Sequence, residues 1–220
     1  MDQTTRGLLQ RATQDARRLL EAEFSAQLEG TFDILPDGSI LPEPGAHLDD
    51  RQQLVRHKIV EAIEHIRLKN AGKTTAQAVD DYLREAAFTF LNRFAALKMM
   101  EARGLVQQCV TKGDQSSGFK EFTGLAPGLG SLSDKGYQLY LECLFDELGT
   151  EVKTLFDRRD PASLLWPRRQ ALLELLAVLN RDDLAGVWGE DETIGWVYQY
   201  FNGQDERRAM RDASQAPQQP

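Results

Sequence analysis

A metal site is the first chemistry that the side chains suggest. His57, Glu61 and His65 recur at four-residue spacing, which would place all three on one face of a helix. The two histidines would then be about 12 Å apart along the helix axis, too far for one ion to bind both. We therefore predict a polar helix face at these residues and no metal site.

A glycine-rich stretch is the second candidate. Residues 122–131, Phe-Thr-Gly-Leu-Ala-Pro-Gly-Leu-Gly-Ser, lie within 111–133, a segment that is predicted to be a long loop. Phosphate-binding loops have the spacing G-x-G-x-x-G or G-x-x-x-x-G-K-[ST], and the first type follows directly on an apolar strand. Neither pattern is present, so this stretch predicts no catalytic and no cofactor-binding residue.

Adjacent arginines could contact phosphate groups if they converge in space. The pairs are Arg158–Arg159, Arg168–Arg169 and Arg207–Arg208. Pairing with carboxylates is the alternative, because 34 Asp and Glu residues outnumber 26 Lys and Arg residues and give a formal net charge of −8. Since phosphate neutralisation supplies most non-specific affinity for DNA, this chain alone is a poor candidate for tight nucleic-acid binding.

The composition is that of a globular protein. Hydrophobic residues make up 41% of the 220 residues, enough to bury a sizeable core. No apolar run is long enough to span a membrane, and the first residues do not resemble a secretion signal. Cys109 and Cys143 lack C-x-x-C spacing, so we predict reduced thiols and a cytoplasmic location.

Apolar residues repeat with helical periodicity along most of the chain. Helices are predicted over 3–29, 49–69, 74–103, 134–156, 167–180, 181–187 and 191–202. In residues 31–42, Asp37-Gly38 separates two short apolar runs and predicts a small β-hairpin. The predicted fold class is all-α, a multi-helix bundle with one small β-hairpin. Residues 1–203 are assigned to one helical domain and 204–220 to a charged helical turn and a linker.

The stretch 86–100 is apolar around most of its circumference, which is typical of a helix at the centre of a bundle. Its polar residues Thr89, Asn92 and Arg93 form one narrow stripe. Lys98 and Glu101 fall on the apolar side in the last turn, where we expect the lysine side chain to extend toward solvent.

Three stretches resemble a known family. They are residues 15–34, residues 87–101 with Phe-Leu-Asn-Arg-Phe-Ala-Ala-Leu, and residues 192–202, Glu-Thr-Ile-Gly-Trp-Val-Tyr-Gln-Tyr-Phe-Asn. All three are similar to the N-terminal region of large adenine-specific DNA methyltransferases of bacterial phage-defence systems, the BREX (PglX-like) and DISARM enzymes. The last stretch is the most specific, and the likeness spans nearly the whole chain.

The resemblance covers only the part of the family that precedes the catalytic domain. The family's S-adenosylmethionine site and Asn-Pro-Pro-Tyr/Phe motif lie further toward the C-terminus, and this chain contains no two adjacent prolines. The resemblance therefore implies the helical N-terminal scaffold of a site-specific adenine methyltransferase, with no cofactor in this chain and S-adenosylmethionine expected for the full-length enzyme.

The partners that the resemblance implies are the methyltransferase domain of the same polypeptide, DNA and other defence-system subunits. Residues 204–220 would then lead toward the catalytic domain, and the chain alone would be inactive. The alternative is a free-standing helical interaction or regulatory module without enzymatic activity.

Residues 191–203 also raise a packing question. Ile194, Val197, Tyr198 and Phe201 form one apolar face, and Gly195 costs about 1 kcal/mol relative to alanine in a helix interior. We predict that Gly195 lets another backbone approach, in this bundle or in the methyltransferase domain. The candidate interface comprises Gly195, Trp196, Tyr198, Gln199, Tyr200 and Asn202. The alternative is that the three aromatic residues complete this bundle's own core.

Overall fold

The computed structural model describes residues 1–69, 72–132 and 134–202. Within them the α-helices are Gln3–Gly30 (α1), Asp50–Lys69 (α2), Thr75–Ala102 (α3), Ser117–Leu125 (α4), Asp134–Leu148 (α5), Lys153–Phe156 (α6), Arg169–Leu179 (α7) and Thr193–Phe201 (α8). Short 3-10 turns cover Gly113–Gln115, Pro127–Ser131, Pro161–Ser163, Asp182–Leu184 and Val187–Gly189. The predicted all-α fold class is confirmed.

The predicted β-hairpin is reduced to a single antiparallel bridge between Ile34 and Ile40. The turn forms as expected, because Gly38 has a φ of 87° and the Leu35 N–H donates to the Ser39 carbonyl at 2.9 Å. Ile34 is fully buried, so the bridge attaches this connection to the core.

Helix α3 lies at the centre of the bundle and packs against α1, α2 and α8. It begins at a capping box, in which Thr74 and Gln77 each accept a hydrogen bond from the other's backbone N–H. Helix α1 contributes a stripe of buried residues with spacings of three and four: Leu9, Ala12, Ala16, Leu20, Phe24 and Leu28. Burial of each large side chain in this stripe contributes about 1.5–3 kcal/mol.

The prediction of a long loop over 111–133 is wrong for the residues described there. Ser116 caps α4 by accepting a hydrogen bond from the Phe119 N–H, and Phe119 and Phe122 pack against Tyr140 on α5. Gly118 permits this packing, because a Cβ atom there would lie 2.8 Å from the Gln108 carbonyl oxygen. The glycine that indicated a loop is therefore required by a close approach between neighbouring segments.

Three predicted helix boundaries also change. The helix predicted over 134–156 is interrupted after Leu148, and α7 begins at Arg169 rather than Pro167. Residues 181–187 form 3-10 turns rather than an α-helix. Tertiary packing overrides the continuous apolar periodicity at these positions.

Lys98 does not extend toward solvent as expected, and its side chain is only 12% exposed. The Glu101 carboxylate accepts hydrogen bonds from the backbone N–H groups of Cys109, Val110 and Thr111. Lys98 donates to the Thr111 hydroxyl, and burial lowers the pKa of Lys98. The two side chains therefore hold residues 109–111 against the end of α3, and this contact could not be foreseen from helical periodicity.

Within the described residues, no helix combines the length and apolar character needed to cross a membrane. Cys109 and Cys143 are both free thiols, the first buried and the second exposed.

Candidate docking surface on helix α8

Helix α8 is held in the bundle by one narrow face. Thr193, Val197 and Phe201 are buried at a spacing of four residues. The Thr193 hydroxyl donates to the Val187 carbonyl at 2.5 Å, so this polar side chain is satisfied inside the core. Phe201 lies against Phe88 of α3, with ring centroids 5.0 Å apart.

The buried face differs from the apolar face predicted from the sequence. Thr193 replaces Ile194 in the core, and Ile194 is exposed. Tyr198 is 50% exposed, and its ring makes a T-shaped contact with Phe88, with the centroids 5.4 Å apart. The difference arises because a hydroxyl with an internal acceptor can replace an apolar side chain in the core.

Gly195 faces open space. Among the described residues, no heavy atom beyond its own helix and chain neighbours lies within 4 Å of the position that a Cβ atom would occupy. The prediction that another backbone of this bundle approaches Gly195 is therefore wrong for the described residues. The approach of a partner's backbone stays a prediction.

Trp196 and Tyr200 pack against the bundle and contribute little to its exposed surface. Their rings stack with centroids 5.5 Å apart, and the Arg6 guanidinium lies 4.8 Å from the Trp196 ring centroid. The Trp196 indole N–H donates to Glu192 at 3.1 Å. Both rings are partly buried against the core. These two residues therefore fit the alternative that the aromatic residues of α8 complete this bundle's own core.

The two polar residues of the predicted interface have different environments. Gln199 is exposed, whereas Asn202 is buried and closes the helix. The Asn202 side-chain amide donates to the Tyr198 carbonyl at 3.1 Å. Ile194, Gly195, Tyr198 and Gln199 therefore make up the exposed face of α8, and Asn202 acts as its cap.

A groove of about 950 Å³ adjoins this face and is called the α8 groove below. Its walls are formed by residues within 58–69 of α2, 81–88 of α3, 159–164 and 198–202. Ala62, Ile66 and Phe88 provide apolar surface, and Tyr198 and Phe201 contribute aromatic rings. Because the walls come from four distant parts of the chain, no local sequence pattern could have predicted the groove.

Arg93 positions one wall of the groove from inside the core. Its guanidinium donates to the carbonyls of Leu155 and Asp157 at 2.7 and 2.9 Å and to the Ser163 hydroxyl at 2.6 Å. The centroid of the Phe145 ring lies 5.4 Å from the guanidinium carbon of Arg93. The buried arginine therefore fixes the segment 155–163 against α3.

Positively and negatively charged side chains both line the groove, but only some of them have a partner in the described chain. Asp81 pairs with Lys73, Arg84 pairs with Asp80, and the Asp160 carboxylate accepts a hydrogen bond from the Ala162 N–H at 2.8 Å. The side chains of Lys58 and Arg159 make no hydrogen bond or ion pair with any residue that the structure describes.

Glu85 marks an acidic end of the groove. Burial and the nearby Asp160 carboxylate raise the pKa of Glu85, Asp81 adds to the increase, and Lys69 offsets part of it. Burial also raises the pKa of Tyr82, together with Asp160 and Glu85, and the Tyr82 hydroxyl donates to the Pro161 carbonyl at 3.0 Å. A cation placed beside Glu85 and Asp160 would relieve their mutual repulsion.

The two arginine pairs that the structure describes do not converge. Arg168 binds Glu23, Arg158 binds Glu142 and Asp146, and Arg169 lies 3.8 Å from Asp114. Arg159 lines the α8 groove, whereas Arg168 and Arg169 line a separate cavity of about 390 Å³ beside Trp166. Arg207 and Arg208 lie outside the described residues.

The histidine and glutamate face is polar and exposed. His57 Nε2 lies 3.2 Å from Glu61 Oε1, and both side chains face solvent. Across the residues that the structure describes, no three His, Cys, Asp or Glu side chains are grouped so that they could hold a metal ion.

Comparisons with known proteins do not identify a relative: no protein-family model matches the chain, and no curated protein or solved structure is significantly similar to it.

Proposed function

We propose that this chain is the helical N-terminal region of an S-adenosylmethionine-dependent adenine DNA methyltransferase of bacterial phage defence. It acts as a cytoplasmic scaffold, and the exposed face of α8 docks the methyltransferase domain. The residues that bind the methyl donor and methylate adenine belong to that domain, because the Asn-Pro-Pro-Tyr/Phe motif does not occur in this chain.

One observation carries this proposal. The two most recognisable stretches, 87–101 and 192–202, come together in space through Phe88 and Tyr198, whose ring centroids are 5.4 Å apart. From the first stretch, Arg93 also fixes the segment 155–163, part of which forms another wall of the α8 groove. Both stretches resemble the same family and lie together at one exposed surface. This supports the proposal that they form one docking surface.

The exposed face of α8 supports the same function. Gly195 weakens the helix by about 1 kcal/mol relative to alanine, yet no close contact in the described chain requires it. Tyr198 keeps half of its surface in solvent, although tyrosine is a residue type enriched in protein interfaces. A partner that packs its backbone over Gly195 and buries the Tyr198 ring accounts for both features.

Association with the methyltransferase domain tests the proposal. The reading frame beyond the Pro220 codon is sequenced, and the domain that it encodes is expressed separately and as one polypeptide with this chain. Calorimetry should show S-adenosylmethionine binding by the longer protein and none by the 220-residue chain. Tyr198→Ala and Gly195→Leu should each weaken association of the separate parts by tenfold or more, equivalent to about 1.4 kcal/mol.

Leu139→Ala is the matched control, since Leu139 is an exposed apolar residue on α5 and should leave association unchanged. The thermal midpoints of Gly195→Leu and Leu139→Ala should not fall, because these positions face open space or solvent, whereas loss of the ring contact with Phe88 should lower that of Tyr198→Ala slightly. Equal association by wild type and by both α8 variants would contradict the docking role. A stop codon after Pro220, with no methyltransferase partner, would favour the free-standing interaction module.

A further inference from the structure

We propose that the α8 groove binds residues 203–212 of the same chain, Gly-Gln-Asp-Glu-Arg-Arg-Ala-Met-Arg-Asp, in an intramolecular contact. These residues lie outside the part of the chain that the structure describes. The inference stands independently of the proposed methyltransferase function, since it depends only on this groove and this sequence.

The place where the described chain ends supports this occupant. Helix α8 ends at Phe201, and Asn202 has the extended dihedral angles φ −84° and ψ 108°. Phe201 and Asn202 both line the groove, so the described part of the chain ends at its wall. The following residues therefore reach the groove without crossing another surface.

The length of the segment also matches the groove. Lys58 and Lys69 lie along the α2 wall and are separated by eleven residues, or about 16 Å of helix. Five or six extended residues cover the same distance at about 3.3 Å each. Residues 203–208 can therefore follow the groove along its α2 wall.

The charges of the segment complement those of the groove. Asp205 and Glu206 can pair with Lys58 and Arg159, whose side chains make no hydrogen bond or ion pair in the described chain. The next two residues, Arg207 and Arg208, can pair with the carboxylates of Glu85 and Asp160, which line the same groove.

Covalent attachment makes modest contacts sufficient. A segment joined directly to the wall of its binding site has an effective concentration of the order of millimolar. Individual exposed ion pairs that would not hold a separate peptide can therefore keep this segment bound for most of the time.

Limited proteolysis of the full 220-residue chain tests the proposal, because trypsin cleaves after Arg207, Arg208 and Arg211 only when the segment is released. The cleavage rate is followed by mass spectrometry under conditions in which it reports the released fraction. Lys58→Glu combined with Arg159→Glu should accelerate this cleavage about tenfold, since both changes place negative groove charges against Asp205 and Glu206.

Lys120→Glu combined with Lys153→Glu is the matched control. This double variant changes the net charge by the same amount as the groove variant, at two exposed lysines on α4 and α6 outside the groove. Trypsin should cleave it at the wild-type rate. Unchanged thermal midpoints in both double variants exclude general unfolding as the cause. If wild type and the groove variant are cleaved equally fast, the segment does not occupy the groove and the proposal is overturned.

Discussion

Arg168 binds both carboxylate oxygens of Glu23 across the junction of α1 and α7. The Arg168 Nε lies 2.8 Å from Glu23 Oε1 and Nη2 lies 2.9 Å from Oε2, and the Arg168 backbone N–H also donates to Oε1 at 2.9 Å. Adjacent arginines in the sequence suggested phosphate contacts, but this arginine neutralises a carboxylate that is only 9% exposed. The pair joins two helices far apart in sequence.

Glu23→Gln should lower the free energy of unfolding at pH 7 by about 1–2 kcal/mol, because the Arg168 donors lose their charged acceptor. Burial acts to raise the pKa of Glu23, but the hydrogen bonds from Arg168 and Gln27 outweigh it and lower the pKa below its ordinary value. Urea denaturation at several pH values measures the effect.

The pH dependence has a definite sign. The pKa of Glu23 is lowered in the folded state. The contribution of ionised Glu23 to the free energy of unfolding is therefore complete above the ordinary pKa near 4.5 and is lost as the pH falls through the lower pKa of the folded state. The difference between wild type and Glu23→Gln should therefore shrink below about pH 4.5. Glu64→Gln is the control, since the Glu64–Arg67 pair lies within one exposed helix face. A difference that grows on acidification would contradict this assignment.

Arg93→Met should destabilise the fold by about 3 kcal/mol, because it leaves the buried Leu155 carbonyl without its donor and removes one donor each from the Asp157 carbonyl and the Ser163 hydroxyl. Arg93→Lys should recover only part of the loss, since an ammonium group cannot reproduce the planar fork of donors. Chemical denaturation gives both values.

Arg103→Met provides a comparison on the surface. Its partner Asp191 is almost fully exposed, so the loss should be no more than about 0.5 kcal/mol. Equal losses for Arg93→Met and Arg103→Met would show that the buried hydrogen bonds do not hold the segment 155–163.

The two cysteines should react differently with thiol reagents in the native protein. Cys109 is fully buried, and burial and the nearby Glu101 carboxylate raise its pKa, so its reactive thiolate is suppressed. Cys143 is exposed and should be labelled alone at pH 8. Cys143→Ser should then abolish labelling until denaturant is added. Labelling of Cys109 in the folded variant would contradict the burial of residues 109–111.

Alanine substitution should have opposite effects at two helical glycines. Gly195→Ala should stabilise the chain by about 0.5–1 kcal/mol, because the new methyl group meets nothing within 4 Å and the helix gains propensity. Gly118→Ala should destabilise it, since the methyl group would collide with the Gln108 carbonyl and the Tyr140 side chain. Thermal unfolding of both variants measures the contrast, and destabilisation by Gly195→Ala would show that its surroundings are already occupied.

The sequence by itself determined the helices that repeat a clear apolar period. Helices α1 and α3 lie close to their predicted bounds, and the apolar circumference of 86–100 correctly indicated a central helix. Local periodicity suffices there because a continuous buried stripe can be satisfied only by a helix against a core. The resemblance of residues 192–202 to a methyltransferase family stays a prediction from the sequence.

Only the tertiary structure decided which faces of those elements are used. Thr193 became a core residue because the Val187 carbonyl accepts its hydroxyl, and the exchange left Ile194 in solvent. The partner of Arg168 and the four walls of the α8 groove come from residues distant in sequence. Periodicity reports how a segment repeats along its own axis, whereas a hydrogen-bond partner or a groove depends on where other segments lie in space.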